Sequence, residues 1–313
     1  MINFKRILLK NKNNKLYYYV KTFLKSLVPN AYYRSQRNSL LQNLPLSERE
    51  YVQSRVDYYN KLVDSQPLSP SAFAIKDYHI PDKIRVYYFD SIEYLRYFDG
   101  QHRLELIPGD VTHVPAYPAI VKSRPVDGNN SNSVLLNLDK ARHFNFIKDD
   151  ISFEQKKDQL VGRSGFQQAH RARFYAMYAD HHLCNLKKAT RKSDPDYLSI
   201  AGHLDYKFIL ALEGNDVATN LKWIMSSNSI AVMPKPTYET WYMEGTLVPD
   251  HHYICIKDDY SDLEEKLNYY SQNTNKALEI IGNAHAYVNQ FKNSKREDVI
   301  SLMVLDKYFR FTH

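Results

Sequence analysis

Residues 206–233 limit the fold most tightly. They read as an apolar strand, YKFILAL (206–212), a turn carrying Gly214, a helix over about 218–227 and a second strand over 229–233. Strand, helix and strand in that order form a β-α-β unit, which makes the two strands parallel. Parallel strands need cover on both faces, so the expected class is α/β.

The other segments fit that class. A helix over 47–63 opens with Ser47 and Glu50 spaced as a capping box, and KIRVYYF (83–89) has the β-branched and aromatic content of a strand. Residues 104–107 read as a strand that ends in the turn Pro108-Gly109-Asp110. Strands follow over 119–121 and 134–138, with a turn-rich loop, DGNNSNS (127–133), between them. A strand over 159–162 meets Arg163-Ser164-Gly165, and a helix over 168–178 carries His170, Arg171 and Arg173. A strand over 253–256 and helices over 261–272, 275–292 and 294–309 complete the chain. At 313 residues the chain suits two domains better than one core. The broken, polar pattern around 146–153 divides it into 1–150 and 151–313, and the last helix is a candidate to pack back on the first domain.

The 43% hydrophobic and 25% charged fractions exclude a disordered chain. A net charge of +7 favours anionic partners: nucleic acid, anionic lipid, phosphorylated sugars or nucleotide diphosphates. No segment resembles a nucleic-acid-binding motif, so that class is not expected. The first forty residues interleave Lys5, Arg6, Lys10, Lys12, Lys15, Lys21, Lys25, Arg34 and Arg37 with Leu and Tyr. Such a segment is suited to lie on an anionic membrane, or forms a pair of ordinary surface helices broken at Pro29. The 26 tyrosines suit sugar stacking and equally suit core filling. Cys184 and Cys255 are far apart and lack metal-type spacing. No run approaches the roughly 18 apolar residues of a spanning helix, and no secretion signal opens the chain, so a cytoplasmic protein is expected.

The most specific chemical signal is Glu213-Gly214-Asn215-Asp216, followed by Asn220-Leu221-Lys222, between the strand and helix of the β-α-β unit. A helix start offers unpaired N–H groups and partial positive charge to a diphosphate, which Lys222 would reach from the helix. The alternative is an ordinary strand-to-helix turn with Asp216 as the cap. Asp149-Asp150 and Asp258-Asp259 read as solvated turns, without the spacing of a metal-binding Asp-x-Asp pair. His113, His143 and His252 read as packing residues.

The segment 213–263 resembles the core of the CAP10-like (family 90) glycosyltransferases. The resemblance is carried by Gly214-Asn215, Lys222, residues 226–232, Glu239-Thr240-Trp241-Tyr242, Pro249, His252-Tyr253 and Tyr260-Ser261-Asp262-Leu263. Upstream, residues 107–115 resemble the family's strand end with its catalytic Asp, and Val161-Gly162-Arg163-Ser164-Gly165 its donor-domain turn. Lys122-Ser123-Arg124-Pro125 and Arg142-His143-Phe144 are similar to the bacterial lipopolysaccharide A branch. Two departures stand out. Ala218 and Asn220 replace a Ser and an Arg of many eukaryotic relatives, so that Lys222, Arg163 or Arg171 would have to compensate, and no Arg precedes Asp110.

The resemblance implies a GT-B fold, two Rossmann-like domains facing a central cleft, with the acceptor on the N-terminal domain and the nucleotide sugar on the C-terminal one. It implies an inverting, metal-independent transfer of a hexose, glucose or galactose, from a UDP-sugar to a heptose of the lipopolysaccharide or lipooligosaccharide inner core. No cofactor is implied beyond that co-substrate. Asp110 becomes the expected base, and Gly214, Asn215, Asp216, Asn220, Lys222, Arg163, Ser164, Glu239, Lys122 and Arg124 the expected donor contacts. The basic N-terminal segment would hold the protein peripherally at the cytoplasmic face of the inner membrane. The competing class is a non-catalytic α/β protein that binds nucleotide or glycan.

Overall fold

The computed structural model describes residues 28–165 and 167–312. In chain order the elements are α1 (Asn30–Gln42), α2 (Leu46–Tyr59), β1 (Phe73–Ala74), α3 (Arg85–Leu95), β2 (Arg103–Leu104), β3 (Leu106–Ile107), β4 (Ala119–Val121), β5 (Ser123–Pro125), β6 (Ser133–Leu135) and α4 (Lys140–His143). Then come β7 (Lys157–Ser164), α5 (Ala169–Tyr178), β8 (Cys184–Lys188), α6 (Ile200–His203), β9 (Tyr206–Leu210), α7 (Leu221–Met225), β10 (Ile230–Met233), β11 (Tyr238–Thr240), β12 (Ile254–Cys255), α8 (Leu263–Gln272), α9 (Thr274–Asn289) and α10 (Ser294–Phe311). The mixture of parallel strands and helices is that of the α/β class. The chain forms two units, and it crosses between them at 141/142, 236/237, 245/246 and 290/291. The basic segment up to residue 27 lies outside the described residues.

The unit containing Arg142–Pro236 and Thr246–Gln290 is built on a five-stranded sheet ordered β12-β10-β9-β7-β8. Every neighbouring pair is parallel. The chain goes from β7 outward to β8, then crosses back so that β9, β10 and β12 build on the other side. The order therefore reverses between β7 and β9, and an open α/β sheet has its ligand crevice at such a switch point, beyond the carboxyl ends of the strands. The inner strands are buried runs, among them Leu160, Val161, Phe208, Ile209, Ile230 and Val232, as a sheet covered on both faces requires. Helix α8 lies against β7, and α9 against β10 and α7.

Asp149 is not a solvated turn residue. Its side chain is 1% exposed, pairs with Lys156 at 2.7 Å and accepts the Asn228 amide at 2.9 Å, fixing the α7–β10 turn.

The second unit holds the described residues up to Ala141 with Thr237–Gly245 and the C-terminal helix. Strands β3, β4 and β6 form a parallel sheet, and β5 pairs antiparallel with β11 in the register Arg124↔Glu239. Helix α10 packs on α2 and α3. Residues 83–89, expected as a strand, begin helix α3. Its buried residues Tyr87, Asp90, Ser91, Tyr94 and Leu95 recur at helical spacing, a period that shows only when the window extends beyond 89. The expected capping box is also absent: α2 begins at Leu46 behind Pro45, one residue ahead of Ser47, and has no side-chain cap.

Candidate active site

The turn that follows β9 is shaped by helix α5, which comes off the neighbouring strand β7. Arg171 donates from Nε to the Glu213 carbonyl and from Nη2 to the Leu212 carbonyl, both at 2.8 Å. The His170 ring nitrogen Nε2 meets the same Glu213 carbonyl at 2.8 Å, and Gln168 donates to Asn215 Oδ1 at 2.9 Å. These contacts join the two loops that flank the switch point. A Cβ on Gly214 would lie 3.4 Å from Arg171 Nη2, in ordinary van der Waals contact, so the guanidinium packs directly beside this turn. Burial, with Arg142 adding charge of the same sign, lowers the Arg171 pKa from the usual guanidinium value. No carboxylate among the described residues pairs with Arg171. The result is a half-buried positive charge at the carboxyl edge of a parallel sheet, a setting suited to an anion.

The sequence carries a signal for this. His170, Arg171 and Arg173 crowd the first turns of α5, which has no acidic residue in its first turn. Cations at a helix N-terminus oppose the helix dipole, so the pattern points to a role other than helix stability.

Asn220 precedes the short helix α7 and donates to the Leu210 carbonyl at 2.9 Å, tying the helix to the end of β9. Asp216 is buried within the turn and is not the cap of α7. Lys222 is fully buried within α7. Arg163 donates to the carbonyls of Asp196, Gly162 and Asn185 and to Asn185 Oδ1, all within 2.7–2.9 Å. Ser164 ends β7, and burial raises the phenol pKa of Tyr175 against the charges of Arg163 and Arg171.

The other unit brings together four more of the expected residues, in two pairs. Strand β3 ends in Pro108-Gly109-Asp110, and Gly109 has φ +101°, a conformation that favours glycine. Lys122, 1% exposed between β4 and β5, donates its ammonium to the Asp110 carboxylate, whose side chain is 25% exposed. Ser123 Oγ clamps the adjoining backbone, accepting from Val111 N at 3.1 Å and donating to Val111 O at 3.2 Å. Arg124 donates to Glu239 at 2.7 Å and to the carbonyls of Tyr58, Tyr59 and Ser133, and both side chains are buried. The Tyr58 hydroxyl donates to the second Glu239 oxygen. Gly245 makes room for this cluster, since a Cβ there would sit 2.8 Å from Glu239 Oε2. Asp110 is thus a partly exposed carboxylate on a buried ammonium, whereas Arg124 and Glu239 hold β5 to β11.

Residues 138–311 match the glycosyl transferase family 90 model. Over 305 residues the chain is 41% identical to an O-glucosyltransferase LpsA of Dichelobacter nodosus, covering 95% of each chain. The chain belongs to glycosyl transferase family 90. As a family 90 glycosyltransferase it carries its parallel sheet and the Arg171 turn inside the matched segment, whereas Asp110, Lys122 and Arg124 precede that segment. The buried pair Arg55–Glu297, 3.0 Å apart, and the Tyr58–Glu239 contact of this glycosyltransferase were not legible in the sequence. Each joins positions more than 180 residues apart, and no local pattern marks such a pairing.

Proposed function

We propose that this chain is an inverting, metal-independent glucosyltransferase of GT-B form, which moves glucose from UDP-glucose to a heptose of the lipopolysaccharide inner core. The observation that carries the reading is the Arg171 turn, a guanidinium with no carboxylate partner among the described residues, beside the switch point of a parallel sheet. The glucosyltransferase name of the relative favours glucose over galactose. In this reading the diphosphate lies against Arg171 and the Gly214 turn, with Asn215 and Ser164 beside it. Arg171 takes the main cationic role because Arg163 has given four of its donors to other groups and Lys222 is fully buried.

The acceptor hydroxyl passes its proton to the Asp110 carboxylate as its oxygen bonds to the anomeric carbon from the face opposite the nucleotide. The bond between that carbon and the diphosphate breaks with its electron pair, and UDP leaves with inversion at the carbon. Lys122 orients Asp110 before the proton arrives. The growing negative charge on the leaving diphosphate is met by Arg171, so a divalent cation is not required. The basic N-terminal segment keeps the enzyme at the cytoplasmic face of the inner membrane, where such an acceptor is presented.

The test is transfer by the purified chain from UDP-glucose to a heptose-bearing inner-core oligosaccharide, followed by the mass gain of one hexose. Transfer is expected with and without EDTA. Arg171→Ala should lower kcat/KM by about 100-fold, and Asp110→Asn should abolish turnover while UDP binding persists. No transfer from any UDP-hexose would sink the reading.

A further inference from the structure

A cavity of about 550 Å³ opens between α1, the α1–α2 turn, α3 and α10, all within one unit. That is inside the range of roughly 300–1,000 Å³ seen for small-molecule sites. Its apolar lining is Leu40, Leu44 and Pro45 on one side and Tyr97, Val299 and Leu302 on the other. Helix α1 explains why the cavity stays open, for it contributes no buried residue and leaves Leu40 37% exposed. At one end α1 is tied to the residues that follow α3. Tyr33 packs edge-on against Tyr97 with ring centroids 5.1 Å apart, and the buried Arg96 guanidinium lies 4.3 Å from the Tyr33 ring.

Three carboxylates, Glu48, Glu93 and Asp298, and three cations, Arg96, Lys295 and Arg296, stand around this space. Glu93 pairs with Lys140 at 2.5 Å, Asp298 accepts from the Tyr94 hydroxyl at 2.9 Å, and Glu48 faces Arg296 at 3.9 Å. Lys295 is exposed at the rim and has no ion-pair partner among the described residues. An apolar interior with a spare cation at its mouth matches a molecule with an alkyl chain and an anionic head, since each part meets the surface that lowers its free energy.

We propose that this cavity binds a single-chain amphiphile, with the alkyl chain between α1 and α10 and the anionic head at Lys295. None of the lining residues is assigned to sugar transfer, and the test does not use that activity. Calorimetric titration of the full chain with dodecyl phosphate, below its micelle concentration, should give one saturable site. Lys295→Glu should weaken that site about tenfold, as loss of one charge-assisted contact would. Dodecanol should bind more weakly and ignore Lys295→Glu, and inorganic phosphate should not saturate. Leu302→Trp, which fills the cavity, should abolish dodecyl phosphate binding. Leu40→Asp, a surface change on a helix with no buried residue, should do the same without threatening the fold. The proposal is overturned if dodecyl phosphate does not saturate, if its binding survives both Leu302→Trp and Leu40→Asp, or if dodecanol or inorganic phosphate binds as tightly.

Discussion

His252 accepts the Val248 amide at Nδ1 over 2.9 Å, an arrangement open only to the neutral ring. Burial, with His251 adding to it, takes its pKa down to about 4 from the usual 6.5. The unfolded chain therefore takes up this proton at a higher pH than the folded chain. The stability from His252 is complete above about pH 6.5 and is lost as the pH falls toward 4. His252→Asn keeps an acceptor for the amide and removes the titration. Its melting temperature should fall less than that of the wild type between pH 6.5 and 4, read by circular dichroism, and equal slopes would refute the assignment. The packing role read for His252 in the sequence agrees with this geometry. Single residues were legible where their chemistry is local, such as Gly109 in its turn. Arg171 was legible only in part, because its helix position is readable but the carbonyls it reaches lie more than 40 positions away.

Gly162, in the middle of β7, answers to packing. A Cβ there would meet Leu186 at 2.8 Å, the Tyr175 hydroxyl at 3.0 Å and Leu210 at 3.1 Å. The first of these is closer than real Cβ contacts come, so the buried Leu186 side chain would have to move within its packing. Gly162→Ala is expected to cost about 1–3 kcal/mol, an overpacking penalty in a close-packed sheet. A shifted denaturant midpoint with an unchanged slope would show it, and an unchanged midpoint would mean that the sheet yields freely. Elements followed the sequence where the hydrophobic period was long enough. Strands β7, β9 and β10 and helices α8 to α10 lie close to the expected positions. Strand β8 went unread because its residues, CNLKK, lack an apolar run, and one of them, Leu186, is fully buried. Helix α3 was misread because seven residues do not separate a strand from the first turns of a helix.

In the unit that contains α10, three distant segments meet in one buried cluster. Arg55 from α2 donates to Glu297 of α10 at 3.0 Å, and Trp241 donates to the same carboxylate at 2.6 Å. Tyr59 stacks on Trp241 with ring centroids 3.8 Å apart and an interplanar angle of 9°. Burial raises the Glu297 pKa, and Arg55 and Trp241 oppose that rise. Arg55→Ala leaves a buried carboxylate without its cation and should cost about 3–5 kcal/mol. Adding Glu297→Gln to Arg55→Ala should recover part of that loss, because the unpaired charge is gone. Unfolding free energies of the two single variants and the double variant test the coupling, and strict additivity would count against it.

By itself the sequence determined the α/β class, the β-α-β unit at its centre and the turns that carry Asp110 and Gly214. Hydrophobic period and turn chemistry act over a few residues, and those features lie within that reach. The tertiary structure alone decided the strand order that sets the switch point, the pairing of Arg124 with Glu239 across 115 positions, and the choice of Arg171 as the cation at the turn. Strand order and ion pairing depend on which distant surfaces bury each other most favourably, a comparison made over the whole fold and written in no single stretch of chain.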